Sequence, residues 1–381
     1  MTLICLSPNG VDTCRLPRAP DTMLVATVGG VIRLVRDPAA AAWNVDGHSL
    51  IDVHVGSLLQ DPTRGFVFAG SYSAGLFRSR DEGRTWESVS EGLGHLNVYS
   101  LASSDTTNAA RPFELYVGTQ PAHLYRSRDH GDTWEELTAL ASAPGHESWG
   151  KAGFSQPAHV RHIACHPTAA DTLYVCVGSG GLLRTDDSGR HFRALECQSG
   201  DVALHAHARR IVFSPCNPDE VFLQSSRGVA RSLDSGGSWT VVPTSDYGVS
   251  YPGCLHCAPE GDGVVFLAGA RTERRAWKET GDADSTMTAS HDGGRTWTRV
   301  RGGLPRFTGN VEAVTLVTWP AGFGLVVATT DGEVFGSTNK GETWKQLAEG
   351  LPPISTRAHY EDLAAGRLYM QHVYAVACRV C

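Results

Sequence analysis

The 381-residue chain contains no apolar run approaching ~18 residues, so no segment is expected to span a membrane. It also lacks an excess of positive charge. Lys and Arg number 33 against 40 Asp and Glu, a formal charge of −7, which argues against a nucleic-acid partner. The opening MTLICLSPNG has no positive segment and only a very short apolar run, a poor match to a secretory signal. The ten cysteines are scattered through expected strands and read as reduced, buried thiols. These absences together place the protein in the cytoplasm.

What is present is a repeat. A short motif of the form Ser-x-Asp-x-Gly-x-Thr-Trp occurs six times, as SRDEGRTW (79–86), SRDHGDTW (127–134), TDDSGRHF (185–192), SLDSGGSW (232–239), SHDGGRTW (290–297) and STNKGETW (337–344). The aromatic ends are 48, 58, 47, 58 and 47 residues apart, and a period of this size marks a repeat architecture. Each position has a physical reason. The Asp carboxylate caps N–H groups of its own turn, and the Gly permits positive φ. The hydroxyls tie the turn down, and the aromatic residue returns into the sheet as core. The motif predicts a rigid turn between two strands.

The motif resembles the Asp-box, or BNR repeat, of sialidases, sortilin-type receptors, xyloglucanases and photosystem II assembly factors. The resemblance covers residues 79–344. It implies an all-β propeller with the Asp-box turns on one face, and it leaves function open because those families do unrelated things on one scaffold.

The strands between the motifs follow the same period. Hairpins rich in β-branched and aromatic residues fall within 66–87, 115–135, 173–193, 221–240, 264–298 and 325–345, and a seventh with a degenerate motif within 24–45. Another strand precedes each hairpin. These predict one domain, 1–381: a seven-bladed β-propeller of four-stranded blades. HVYAVAC (372–378) is expected to supply the missing strand of the N-terminal blade, so that both chain ends close the ring. Residues 2–18 have no place in this scheme.

The longest connections, 138–159, 271–285 and 351–371, are expected to roof the channel on the face opposite the Asp-box turns. The first strand of each blade begins there with polar residues. Candidate catalytic residues are Glu312 as base, His159, and Arg210 to stabilise an anion. Candidate ligand-binding residues are Asn97, Tyr99, Arg161, His162, Tyr251, Arg271, Trp277, His359 and Tyr360. His54, His159, His207 and Glu312 are candidate ligands for a divalent Zn, Fe or Mn, on convergence alone. The pairs Cys254/Cys257 and Cys378/Cys381 have zinc-like spacing. On a strand, however, i and i+3 face opposite sides, so the first pair reads as ordinary strand cysteines.

The expected function is binding of a small polar or aromatic molecule at the channel mouth, with hydrolase or lyase chemistry that a metal assists. The alternative is a non-catalytic assembly platform, as the resemblance to photosystem assembly factors implies. A sialidase would need an arginine triad. Arg15-Leu16-Pro17 looks like a fragment of its first arginine motif, and the rest of the triad finds no match.

Overall fold

The computed structural model describes residues 2–377 apart from 11, 12, 40, 41, 105–111, 151–156, 200, 201, 260, 321 and 357. Each repeated turn closes on itself through the side chains the motif supplies. In the first, the Ser79 hydroxyl donates to Asp81 Oδ1 and accepts the Gly83 N–H, both at 2.8 Å. Asp81 in turn accepts the Thr85 N–H and hydroxyl at 2.8 and 2.6 Å. Gly83 sits at φ 84°, in the left-handed region. The same bonding recurs in the other five turns, with the His191 ring and Asn339 as the variant parts. The aromatic ring at the end of the motif leans on the preceding blade rather than its own. Trp86 Nε1–H donates to Ser49 Oγ and Trp134 Nε1–H to the Val89 carbonyl.

Apart from one two-stranded ribbon, Gln198–Ser199 with Val202–Ala203, the described strands assemble into seven sheets arranged as a seven-bladed β-propeller. Six of the sheets have four strands and one has five. The innermost strands of blades two to seven are Val55–Asp61, Val98–Ser103, His159–Cys165, Ala208–Phe213, Tyr251–Cys257 and Val311–Trp319. Successive strands within these blades are antiparallel, so each repeated turn lies at the strand ends opposite those where the innermost strand begins. The core lies between blades. Each of seven apolar clusters joins two neighbours, including blade seven with blade one through Val317, Ala328 and Ile4.

Closure of the ring differs from the expectation. The innermost strand of the first blade is Leu3–Leu6, paired in parallel with Thr22–Thr27. The chain then crosses to the last blade, where Thr13–Arg15 runs parallel to Val311–Trp319 as a fifth strand. One N-terminal segment therefore ties the first and last blades together. Residues 372–377, expected as a closing strand, belong instead to the helix Ala358–Ala377, and Cys378 lies outside the described residues. The physical reason is occupancy. Leu3–Leu6, fully buried, already fills that edge, and the Ala, Leu and Met residues of 358–377 favour a helix once no sheet edge is left to join.

The eight described cysteines carry no disulfide. Cys254 packs toward blade seven and Cys257 toward blade five, as strand alternation requires. Cys216 is exposed, against the expectation of burial. Among the described residues no helix is long and apolar enough to cross a membrane.

Candidate functional site

Six innermost strands carry the same irregularity near their first residues. In each, the register slips by one and leaves an unmatched residue: Gly56, Tyr99, Arg161, Arg209, Gly253 and Glu312. A β-bulge re-aims its extra residue and bends the strand. Four of these residues, Arg161, Arg209, Gly253 and Glu312, line one small cavity together with Pro8, Asn9, Arg210, Gln224 and Thr356. The two glycines leave space that neighbours use. A Cβ on Gly56 would come within 2.5 Å of the Tyr72 ring, and one on Gly253 within 3.0 Å of the Val311 carbonyl.

The floor comes from the N-terminal segment. Arg210 Nη2–H donates to the Pro8 carbonyl at 3.0 Å. Asn9 donates from its backbone N–H to Gly56 O at 3.1 Å and from Nδ2 to the Tyr72 hydroxyl at 2.9 Å. Residues 2–18, which had no role in the sequence reading, thus provide a strand of the ring and the base of its cavity.

The roof comes from two helices. Arg274–Thr280 occupies the expected 271–285 connection and Ala358–Ala377 the expected 351–371 connection. Trp277, fully buried, packs edge-on against Tyr251 and His359. Arg274 and Lys278 both pair with Asp362, at 2.9 and 3.1 Å. The 138–159 connection goes elsewhere. Its described part lines a separate outer cleft of about 430 Å³ with His123, Glu136, Leu140 and Trp149.

Glu312 is the acidic centre of the mouth. Its Oε1 accepts from Asn310 Nδ2 and from His359 Nδ1, and its Oε2 accepts more weakly from the Thr356 N–H and hydroxyl, both at 3.4 Å. Burial pushes its carboxyl up, but the His359 ring, the Asn310 amide and the Arg209 charge together hold it below the ordinary carboxylate range. Burial pushes His359 down, and Glu312 beside it offsets this only in part. With its Nδ1–H on Glu312, the neutral His359 ring presents the Nε2 lone pair to the Tyr251 hydroxyl at 3.3 Å and to Arg209 Nη2–H at 3.4 Å.

The guanidiniums are sparsely engaged. Arg161 donates to the Tyr99 hydroxyl at 3.5 Å, and Arg209 to the Pro252 carbonyl at 3.3 Å besides His359. Arg209 lies over the Tyr251 ring at 4.6 Å. Burial, then the nearby Arg161, pushes its pKa down. Neither Arg161 nor Arg209 has a carboxylate within 4.0 Å among the described residues. Gln224, fully buried, gives both N–H groups to the Pro252 and Gly253 carbonyls at 3.0 and 2.8 Å, and its Oε1 has no partner.

Of the candidate residues, Glu312, Arg161 and Arg210 meet in the cavity, and Tyr251, His359 and Trp277 form its roof. His159 stands one step back in the wall, its ring tilted 32° against Tyr99 with centroids 4.1 Å apart. His162 lies between blades, where it accepts the Ile211 N–H at 3.5 Å. Burial pushes both imidazoles down to about 3. Asn97 is tied to Gln120 at 2.9 Å. Arg271 pairs with Asp284 on the outside and is half exposed. Tyr360 is half-buried on the C-terminal helix, away from the cavity lining.

The expected metal set does not assemble. His54 Nε2 is bonded to the Ser355 carbonyl at 2.9 Å, His207 sits in the short turn His205–His207, and Glu312 is held by His359. No three His, Cys, Asp or Glu converge as metal ligands among the described residues. Arg15 is exposed and pairs with Thr318, at the far end of the strand Val311–Trp319 from Glu312, so it belongs to no arginine cluster at the mouth.

The sequence signal that was missed is positional. Written under one another, HVGS, NVYS, HVRH, HARR, YPGC and NVEA place the bulge residue third each time. Arg209 was legible as one of the arginines at the strand starts that could bind an anion, whereas Gln224 and Asn9 carry the rest of the site and gave no such signal.

No family model matches the chain, and no curated protein matches it. Solved structures resemble it in fold. An ancestral GH74 enzyme is 16% identical with a TM-score of 0.58, over 77% of this chain and 38% of its own. The GH74 xyloglucanase from Xanthomonas campestris is 17% identical with a TM-score of 0.53, over 76% and 45%. A putative 6-phosphogluconolactonase from Bacteroides uniformis is 15% identical with a TM-score of 0.54, over 88% and 99%. The chain therefore spans less than half the length of the two GH74 enzymes. At these identities the likeness is one of fold: all three share the propeller architecture.

Proposed function

We propose that the protein binds a small polar molecule at the channel mouth and moves a proton on it, with Glu312 as the base. One observation carries this reading. Glu312 is a buried carboxylate in the cavity wall whose Oε1 is fixed by two strong donors while Oε2 is only weakly engaged. An oriented carboxylate with one oxygen to spare, kept ionised by its lowered pKa, can accept a proton from a molecule bound beside it. Arg161 and Arg209 stand ready to stabilise an anion that forms beside it. Hydrolase or lyase chemistry is the class this supports.

The test is turnover. The chain is incubated with a panel of small hydroxy acids, lactones and esters and followed by proton NMR. A reaction that falls about 100-fold or more in Glu312→Gln supports the reading. A reaction unchanged in that variant, or none across the panel, overturns it.

The outer cleft favours a second reading, docking of a partner. Its volume of about 430 Å³ far exceeds the cavity at the mouth. It offers one polar pair, His123 with Glu136 at 2.6 Å, and nothing arranged for chemistry.

A further inference from the structure

We infer that the ligand of the channel mouth is a small carboxylate that carries a hydroxyl or amino group on the atom next to the carboxylate. The inference concerns the same cavity as the catalytic reading and rests on it for the place, though not for the chemistry.

The argument is one of complementarity. Arg161 and Arg209 belong to adjacent blades, and both are bulge residues of the same ring. A guanidinium has five N–H donors. Arg161 uses one on Tyr99, and Arg209 uses donors on Pro252 and His359. Arg210 lines the same cavity. Against these positive groups the cavity lining offers one carboxylate, Glu312. Like charges gathered in a protein interior need a counter-charge, so an anion belongs there. Arginine binds carboxylates through paired N–H groups.

A bare anion is not enough. The same lining presents two acceptors. Gln224 Oε1 has no partner and cannot be exchanged with the amide nitrogen, which is committed to two carbonyls. Glu312 Oε2 is weakly engaged. A buried acceptor without a donor costs stability, and a carboxylate placed alone beside Glu312 would be repelled. One water could satisfy Gln224 but would leave the charge unanswered. Chloride answers the charge but brings no donor. A 2-hydroxy or 2-amino acid supplies both from adjacent atoms. The free interior, about 10 Å³, has room for one water-sized group, the ligand's hydroxyl or amino donor, with its carboxylate at the opening beside the half-buried Arg161 and Arg209. The remainder of the ligand must stay toward solvent.

The test uses the whole chain and four probes: glycolate, glycine, acetate and chloride. Affinities are measured by calorimetry and by thermal shift. Glycolate or glycine is expected to bind about tenfold or more tightly than acetate, the preference reflecting one hydrogen bond to Gln224 or Glu312. Gln224→Leu is expected to narrow that preference, and Arg161→Gln to weaken both carboxylates together. Equal binding of glycolate, glycine, acetate and chloride overturns the inference, as does no binding of glycolate or glycine at millimolar concentration. The wild-type comparison needs no variant, so a variant that fails to fold leaves the test intact. Donor-dependent binding without turnover would overturn the catalytic reading alone. Turnover of a substrate that lacks a carboxylate would overturn this inference alone.

Discussion

His359 donates its Nδ1–H to Oε1 of Glu312, joining the C-terminal helix to the innermost strand of the last blade across 47 positions of sequence. The bond does two things. It fixes the carboxylate toward the cavity, and it anchors the helix roof over the mouth. His359→Ala is expected to cost about 2–3 kcal/mol, the range for a lost hydrogen bond to a buried charge. His359→Asn, which keeps a donor, should recover part of it. Urea denaturation measures both. Equal loss in the two variants would show that ring packing against Trp277, rather than the bond, holds the helix.

Stability should fall with acid before the carboxylates titrate. Burial pushes His159 and His162 down to about 3, from an ordinary value near 6.5. His359 is depressed as well. Below pH ~6.5 the unfolded chain takes up these protons while the folded chain does not, so stability rises with pH and is lost as pH falls from ~6.5 toward 3. Glu312, held low in the fold, adds to the loss below pH ~4.5 in the same direction. Thermal melting between pH 4 and 8 reads the slope. His162→Leu should make it shallower by about one proton, and an unchanged slope would mean that ring is not excluded from protonation.

Much of the fold was legible because the motif fixes its own turn. Ser79, Asp81, Gly83 and Thr85 satisfy one another locally, so the sequence reports the structure without tertiary help. The closure was not legible for the opposite reason. Residues 372–377 have the alternation of a strand, and competition with Leu3–Leu6 for one sheet edge leaves them to the helix. The site was half legible. Polar residues at strand starts were visible, but the bulges shift the two-residue period. Glu312 and Arg161 therefore face the cavity whereas His162, next to Arg161, faces a neighbouring blade. Gln224 gave no signal at all, since an amide on a second strand reads as ordinary until its unpartnered oxygen is seen.

At Gly366 the second roof helix comes up against the backbone that ends the first. A Cβ there would strike the Trp277 carbonyl and the Gly281 backbone. Backbone cannot give way as a side chain can, so Gly366→Ala is expected to part the helices and cost about 1–3 kcal/mol. Fluorescence of Trp277, now fully buried, should shift to the red. A blue-edge spectrum identical to wild type would show that the contact adjusts without opening.

The repeated turns should be individually replaceable at moderate cost. Ser79, 1% exposed, satisfies the Gly83 N–H in a buried position. Ser79→Ala leaves that donor unpaired and should lower stability by about 1–3 kcal/mol. Ser79→Thr, the residue found naturally at 185, should be nearly neutral. The denaturant midpoint distinguishes the two. A neutral Ser79→Ala would mean that water reaches the turn.

The N-terminal tie between the first and last blades also bears on how the protein is made. Thr315 donates its hydroxyl to the Cys5 carbonyl across 310 positions of sequence. A ribosome delivers the first of these residues long before the second. Until the last blade emerges, the nascent chain is an open arc whose first blade exposes the apolar face that will meet the last one, and the segment that will seal it waits without its partner strand. Contacts of such long sequence separation form slowly. The final blade is thus the latch of the assembly, and the interval before it closes is when the chain most needs protection from its neighbours.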